Sequence, residues 1–161
     1  MPDAAWSAGR STAVARAAIE LPGDPAEVFA FVADVSRHPL WSPKALRITD
    51  LPAGGELGVG ATFVSRGVLP GDKDHRNDVV VVELDVPRLL VLESTDATGT
   101  YRNTFRVGPG PGGGTRLVRE LELPRPGGLL GVTTPLFVRL VLVRDLRKGL
   151  RRLSRALRAE G

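Results

Sequence analysis

Residues 89–123, LLVLESTDATGTYRNTFRVGPGPGGGTRLVRELEL, hold three runs of strand length separated by turn-forming residues. The runs 89–96, 100–107 and 115–123 are rich in β-branched and large apolar side chains, which suits a pleated, half-covered surface. Successive side chains of a strand point to opposite faces, so charged positions reveal the facing of a whole run. Glu93, Arg102, Arg106, Arg116, Glu120 and Glu122 belong to water. The opposite face carries Leu90, Leu92, Ser94 and Asp96, then Tyr101, Asn103 and Phe105, then Leu117, Arg119 and Leu121. A tight turn at Thr98-Gly99 predicts the pairs Asp96–Tyr101, Ser94–Asn103 and Leu92–Phe105. A return through Gly108 to Gly114 sets Phe105 beside Leu117, Asn103 beside Arg119 and Tyr101 beside Leu121. Every pair agrees on its face, and a polar row, Ser94-Asn103-Arg119, is expected inside an apolar concavity.

Outward from these strands, residues 46–51, 61–69 and 78–86 have the same character. Glu83 and Asp85 face water, which predicts Ala61, Phe63, Ser65, Val80, Val82 and Leu84 on the covered face. Residues 12–21 alternate as well, with Arg16 and Glu20 opposite Ala13, Ala15, Ala17 and Ile19. Asp24, Pro25 and Glu27 form a helix start: an N-cap, a first-position proline and an acidic third residue. Val28, Phe29, Phe31 and Val32 give that helix its buried stripe. His38-Pro39-Leu40-Trp41-Ser42-Pro43 predicts a bend or a brief second helix. After Pro126-Gly127-Gly128, Leu142, Leu146, Leu150, Leu153 and Leu157 recur at helical spacing.

The order is strand, two short helices, six strands, long helix. It predicts an α+β fold: a curved antiparallel sheet of about seven strands, covered on one face by the helices and enclosing a cavity. One domain is expected over residues 1–161, with 1–11 as a flexible lead-in. The expected cavity lining is Trp41, Phe63, Ser65, Val80, Val82, Leu92, Ser94, Tyr101, Asn103, Phe105, Arg119, Leu142 and Leu146. Trp41 fits either the cavity mouth or the core. Polar groups on a covered face must be paired or bind something, because burying them alone is costly. Two readings of the polar row stay open: Arg119 neutralised by Asp96 and braced by Asn103, or Arg119 contacting a ligand.

Hydrophobic residues are 42% and charged residues 25%, an ordinary globular composition that excludes wholesale disorder. The chain has no cysteine, which excludes disulfides and thiolate chemistry. Met1 to Arg10 shows no signal-peptide pattern, and the apolar region 129–143 is interrupted by Pro135 and Arg139. A cytoplasmic protein without a membrane span is expected. Net charge is +4, yet residues 135–161 alone carry eight basic side chains against Asp145 and Glu160. That segment is +6 and the remainder −2, so the basicity is that of one helix.

The same residues exclude several chemistries. With His38 and His75 as the whole histidine complement, a zinc site would depend on carboxylates, so no metal is expected. His75 reads as part of a surface loop, Gly71 to Asn77, and His38 as capping or lining the bend. Gly108 to Gly114 lacks the lysine and hydroxyl of a phosphate cradle and precedes a strand, so it reads as a floppy connection. No dinucleotide fingerprint is present, and no cofactor is expected. The arginine-rich helix lacks interleaved aromatics, so nucleic acid is not expected as a partner. Its apolar side is needed to close the cavity, which argues against insertion in a bilayer. A homodimer stays open.

The chain resembles the polyketide cyclase/dehydrase branch of the START-like, Bet v 1-like (SRPBCC, helix-grip) superfamily. The residues that carry the likeness are the segment Leu21 to Phe29, Asp34, Trp41-Ser42-Pro43, the turn Asp85-Val86-Pro87-Arg88-Leu89 and the strand entry Gly114-Thr115-Arg116-Leu117. Their order and spacing, from about Ala13 to Leu157, make the likeness. The resemblance implies a helix-grip fold around a cavity for a lipid, polyketide or isoprenoid. It does not imply catalysis, since fold does not settle function. Three functions follow as expectations: noncatalytic binding of a hydrophobic molecule, a polyketide cyclase or aromatase, or a protein-interaction module using the basic helix. In the enzyme reading, Tyr101 and Asp96 serve as proton donor and base while Arg119 stabilises an enolate.

Overall fold

Each alternating run becomes a strand, and together they form one antiparallel sheet. The computed structural model describes residues 12–124 and 128–160; the expected lead-in, residues 1–11, lies outside the described residues. The strands are β1 (Thr12–Leu21), β2 (Leu46–Thr49), β3 (Thr62–Leu69), β4 (Asp72–Asp85), β5 (Leu89–Asp96), β6 (Gly99–Pro109) and β7 (Thr115–Pro124). Their order across the sheet is β1-β7-β6-β5-β4-β3-β2. Successive hairpins account for β2 to β7, and β1 pairs with β7.

Between β1 and β2 lie α1 (Pro25–Ala33), a 3-10 turn (Val35–Arg37) and α2 (His38–Trp41). Asp24 caps α1 by accepting from the Ala26 amide at 2.7 Å, and Val28, Phe29, Phe31 and Val32 are buried as the periodicity requires. At the other end of the chain, α3 (Gly128–Phe137) runs through a π-turn (Val138–Leu142) into α4 (Val143–Glu160). Leu146, Leu150 and Leu153 of α4 are buried against the sheet and α2, and its arginines face outward. The result is the helix-grip architecture.

α3 behaves differently from α4. Its buried positions are Gly131 and Thr134, while Leu129, Leu130, Val132, Leu136 and Phe137 are exposed. The apolar side of α4 is therefore spent on the sheet and α2, and that of α3 is not. Pro135 interrupts α3, and the hydroxyls of Thr133 and Thr134 donate to the Leu130 carbonyl at 3.0 and 2.8 Å.

Three details of the sheet correct the sequence reading. First, β4 begins at Asp72, so the segment expected as a loop is strand. A register shift between Val81 and Glu83 makes Val82 an extra residue and inverts the alternation there. Val79 and Val81, opposite Ser94 and Leu92, are the buried pair; Val80 and Val82 are not on the covered face. Extrapolating back from Glu83 and Asp85 could not see the bulge.

Second, Asp96 pairs with Gly99, so the turn is Ala97-Thr98. The observed pairs are Ser94–Tyr101, Leu92–Asn103 and Leu90–Phe105, followed by Asn103–Leu121, Phe105–Arg119 and Val107–Leu117. Both hairpins are offset by two residues from expectation, which preserves every face but dissolves the polar row. The reason is local: Asp96 Oδ1 accepts from the amides of Thr98 and Gly99 at 2.7 and 3.1 Å, closing the chain early. Third, the glycine-rich connection carries a short 3-10 turn (Pro111–Gly113) and a closing hydrogen bond. The Gly110 amide donates to the Gly114 carbonyl at 2.7 Å, and a Cβ on Gly114 would lie 2.6 Å from the Leu21 carbonyl oxygen.

Candidate functional site: an arginine beneath the C-terminal helix

Arg119 sits in the middle of β7, flanked by Phe105 on β6 and Ala17 on β1. The small alanine leaves room on one side, and the aromatic ring supplies a face on the other. The guanidinium carbon lies 5.2 Å from the Phe105 ring centre and 5.4 Å from that of Trp41, within cation–π range of both. Above it, Gly149 of α4 comes so close that a Cβ there would stand 3.6 Å from Arg119 Nη1 and 3.4 Å from the Trp41 carbonyl oxygen. A glycine inside a leucine–arginine helix costs about 1 kcal/mol relative to alanine, and that misfit was the one sequence signal for this approach.

The hydrogen bonding of Arg119 is incomplete. Nη2 donates to Asn103 Oδ1 at 3.1 Å. Among the described residues Nε, shut off from solvent, has no hydrogen-bond partner and no carboxylate pairs with the side chain. Burial pulls its pKa down to about 10, so the guanidinium still holds its proton at neutral pH. Trp41 Nε1 is likewise buried with no partner among the described residues. His38 completes the wall: its ring is 4.6 Å from Trp41 and 5.9 Å from Phe105, and Nε2 donates to the Val32 carbonyl at 2.8 Å. Burial lowers its pKa to about 4 against the opposing pull of the Val32 carbonyl, so His38 is neutral and adds no second charge.

A separate polar cluster occupies the turn end of the sheet. His75 Nε2 lies 2.7 Å from Asp96 Oδ2 and Nδ1 lies 3.0 Å from Asp72 Oδ2, an arrangement in which the protonated ring donates to both carboxylates. Those two carboxylates raise the His75 pKa, Asp96 contributing most. Burial opposes ionisation of Asp96, yet hydrogen bonds from Thr98 and His75 hold its pKa below the usual carboxylate range. Tyr101 shares its hydroxyl with Thr98 Oγ1. His75 is therefore a clamp between two strand ends, in place of the surface loop expected for it. Its sequence signal was Asp72, three residues upstream.

These two clusters do not meet. Along β6, Gly99 (the partner of Asp96) and Phe105 (the partner of Arg119) are six residues apart, roughly 20 Å. The expected Arg119–Asp96 pair is not formed, and Asp96, Tyr101 and Arg119 do not make one acid–base constellation. Of the other expected lining residues, Phe63, Leu92, Phe105 and Leu146 are buried on the covered face, with Ser65, Ser94, Asn103 and Leu142 half-buried. Trp41 belongs to the core, against Arg119. A depression of about 440 Å³ lies beside Leu40 and the end of α4, and one of about 470 Å³ lies around Thr62, Asp78 and Val80; neither includes Arg119.

The comparisons agree with this architecture. Among curated proteins none matches the sequence. Norcoclaurine synthase of Thalictrum flavum, solved as a point mutant with a transition-state analogue, superposes with a TM-score of 0.69 at 16% identity, covering 95% of this chain and 99% of that one. TTHA0849 of Thermus thermophilus gives 0.69 at 18% identity, with coverage of 92% and 99%. DynU16, a protein of the dynemicin biosynthetic locus, gives 0.63 at 21% identity; the match covers 90% of this chain and spans about half of that one, 47%. At such identities the likeness is one of fold. Residues 12–158 match the family model described as polyketide cyclase / dehydrase and lipid transport, and this chain belongs to that family.

Proposed function

We propose that the chain binds a hydrophobic small molecule carrying a carboxylate, enolate or carbonyl oxygen, and holds that oxygen at Arg119 and Asn103 without chemical turnover. The observation that carries this reading is the solvent-shielded Nε of a half-buried arginine, which has neither a hydrogen-bond partner nor a carboxylate among the described residues. A shielded donor on a partly desolvated cation is costly to leave unpaired, and an anionic or strongly polar oxygen is what relieves it. Trp41 and Phe105, whose rings flank the guanidinium, are the apolar side chains next to which the ligand's skeleton would lie. The family description, polyketide cyclase / dehydrase and lipid transport, supports a lipid, polyketide or isoprenoid skeleton. Binding is favoured over cyclase chemistry because Asp96 and Tyr101, the acid–base candidates, are engaged with His75 and Thr98 far along the sheet.

The test is displacement of a bound fluorescent fatty acid by dodecanoic acid and by dodecanol. A charge-assisted hydrogen bond contributes about 1.5–3 kcal/mol, so the acid should displace the probe roughly tenfold or more better than the alcohol. Arg119→Met should abolish the preference while leaving the alcohol's affinity in place. Equal affinities in the native chain, or a preference that survives in the variant, would overturn the assignment.

A further inference from the structure

From Leu129 to Val141 the C-terminal helical segment is apolar on nearly every side, interrupted by two threonines, Pro135 and Arg139. A helix of that composition is ordinarily covered all round. Here the covered stripe is narrow, Gly131, Thr134 and Val138. The outer face shows Leu129 at 82% exposure, Val132 at 71% and Leu136 and Leu140 at 60% each, with Phe137 half-exposed. It extends over 13 residues, roughly 20 Å at helical rise. A contiguous apolar surface of that kind marks an interaction site. α3 also lacks a firm seat: among the described residues it packs chiefly on the π-turn that follows it.

Charge identifies the occupant. Between Gly128 and Arg144 there is no acidic side chain. Past Val141 the outer face turns cationic, with Arg144, Arg147 and Lys148 exposed, and Arg139 stands within the apolar stretch. Among the described residues none of these four forms an ion pair. A second copy of the chain would bring two such positive rims together, which opposes self-association. An apolar face bordered by unpaired cations matches the boundary between acyl chains and anionic headgroups.

We propose that α3 and the π-turn dock on an anionic lipid surface, with Leu136, Phe137 and Leu140 entering the acyl boundary and Arg139 and Arg144 meeting headgroup phosphates. The segment lies on the surface and does not span it, since no described helix is long and apolar enough to cross a membrane. The inference is independent of the ligand assigned to Arg119.

The experiment is co-sedimentation of the full chain with vesicles of phosphatidylcholine alone and of phosphatidylcholine mixed equally with phosphatidylglycerol. The native chain should partition to the anionic vesicles at least tenfold more strongly, and added salt should weaken that partition. Arg139→Gln and Arg144→Gln should each reduce it about fivefold. Leu136→Ser combined with Leu140→Ser should reduce it tenfold or more, with an unchanged thermal midpoint because both positions are exposed. Equal sedimentation with both vesicles, or partition unaffected by the leucine pair, would overturn the proposal. So would a dimer in solution that the leucine pair dissociates while vesicle binding is absent, since the occupant would then be a second copy.

Discussion

Arg119 and Asn103 are diagonal neighbours across β7 and β6, and the hydrogen bond from Nη2 to Oδ1 spans 3.1 Å although the ladder pairs neither residue with the other. Asn103 stands opposite Leu121 and Arg119 opposite Phe105. An amide oxygen satisfies a donor without cancelling its charge, so the contact orients the guanidinium and leaves it a net cation. Between two aromatic faces and under Gly149, that cation is partly desolvated and, among the described residues, has no counter-charge.

Arg119→Met should therefore leave the chain no less stable, with a gain of up to about 2 kcal/mol by chemical denaturation. Methionine fills similar volume against the apolar walls. A loss of about 3 kcal/mol or more would reveal a counter-charge on Arg119, in conflict with the geometry.

His38 makes stability depend on acid. Its folded pKa is about 4 and its unfolded value is the ordinary 6.5, so the unfolded chain binds the extra proton between those limits. The native state should lose stability as pH falls from 6.5 toward 4, by about 3 kcal/mol from this group. Measured against a His38→Phe chain, the excess slope over that window should be absent from the variant.

Asp96→Ala should cost about 2–4 kcal/mol, because it removes the acceptor for the Thr98 and Gly99 amides and for His75. It should also bring the His75 pKa down toward its ordinary value, readable in the imidazole NMR titration. In the native chain the sign is opposite to that of His38. With the folded pKa raised, the His75 contribution is full below the ordinary histidine value and is lost as pH rises through the folded one.

Gly114→Ala should destabilise by about 1–3 kcal/mol despite an unexceptional extended backbone at that residue. The added methyl would meet the Leu21 carbonyl oxygen at 2.6 Å, and neither β1 nor the connection can yield cheaply. Gly112, with nothing near its Cβ position but a φ of 69°, should tolerate asparagine better than valine. Thermal midpoints of the three variants would rank these effects.

Sequence alone determined the element order, the α1 cap at Asp24, the inward faces of β1, β5, β6 and β7, and the buried leucines of α4. Each follows from a local rule, a period of 2 or 3.6 or a cap, that a single segment carries within itself. It also placed Arg119 and Asn103 on the covered face, because a register error of two residues does not change a face.

What tertiary structure decided is which residues meet. The pairing of β5 with β6 depends on where Asp96 closes its turn, and the facing of Val79 and Val81 on a bulge that leaves no mark in composition. Asp96 reaches His75 on the next strand instead of Arg119, since strand rise puts two residues of one face far apart even when both look inward. The same holds for the helices: α4 lays a face of leucines on the sheet, whereas α3, apolar on nearly every side, buries only Gly131 and Thr134 and leaves its leucines exposed. Which helix meets the sheet depends on contacts between segments far apart in sequence, and a helical period carries only the face of its own segment.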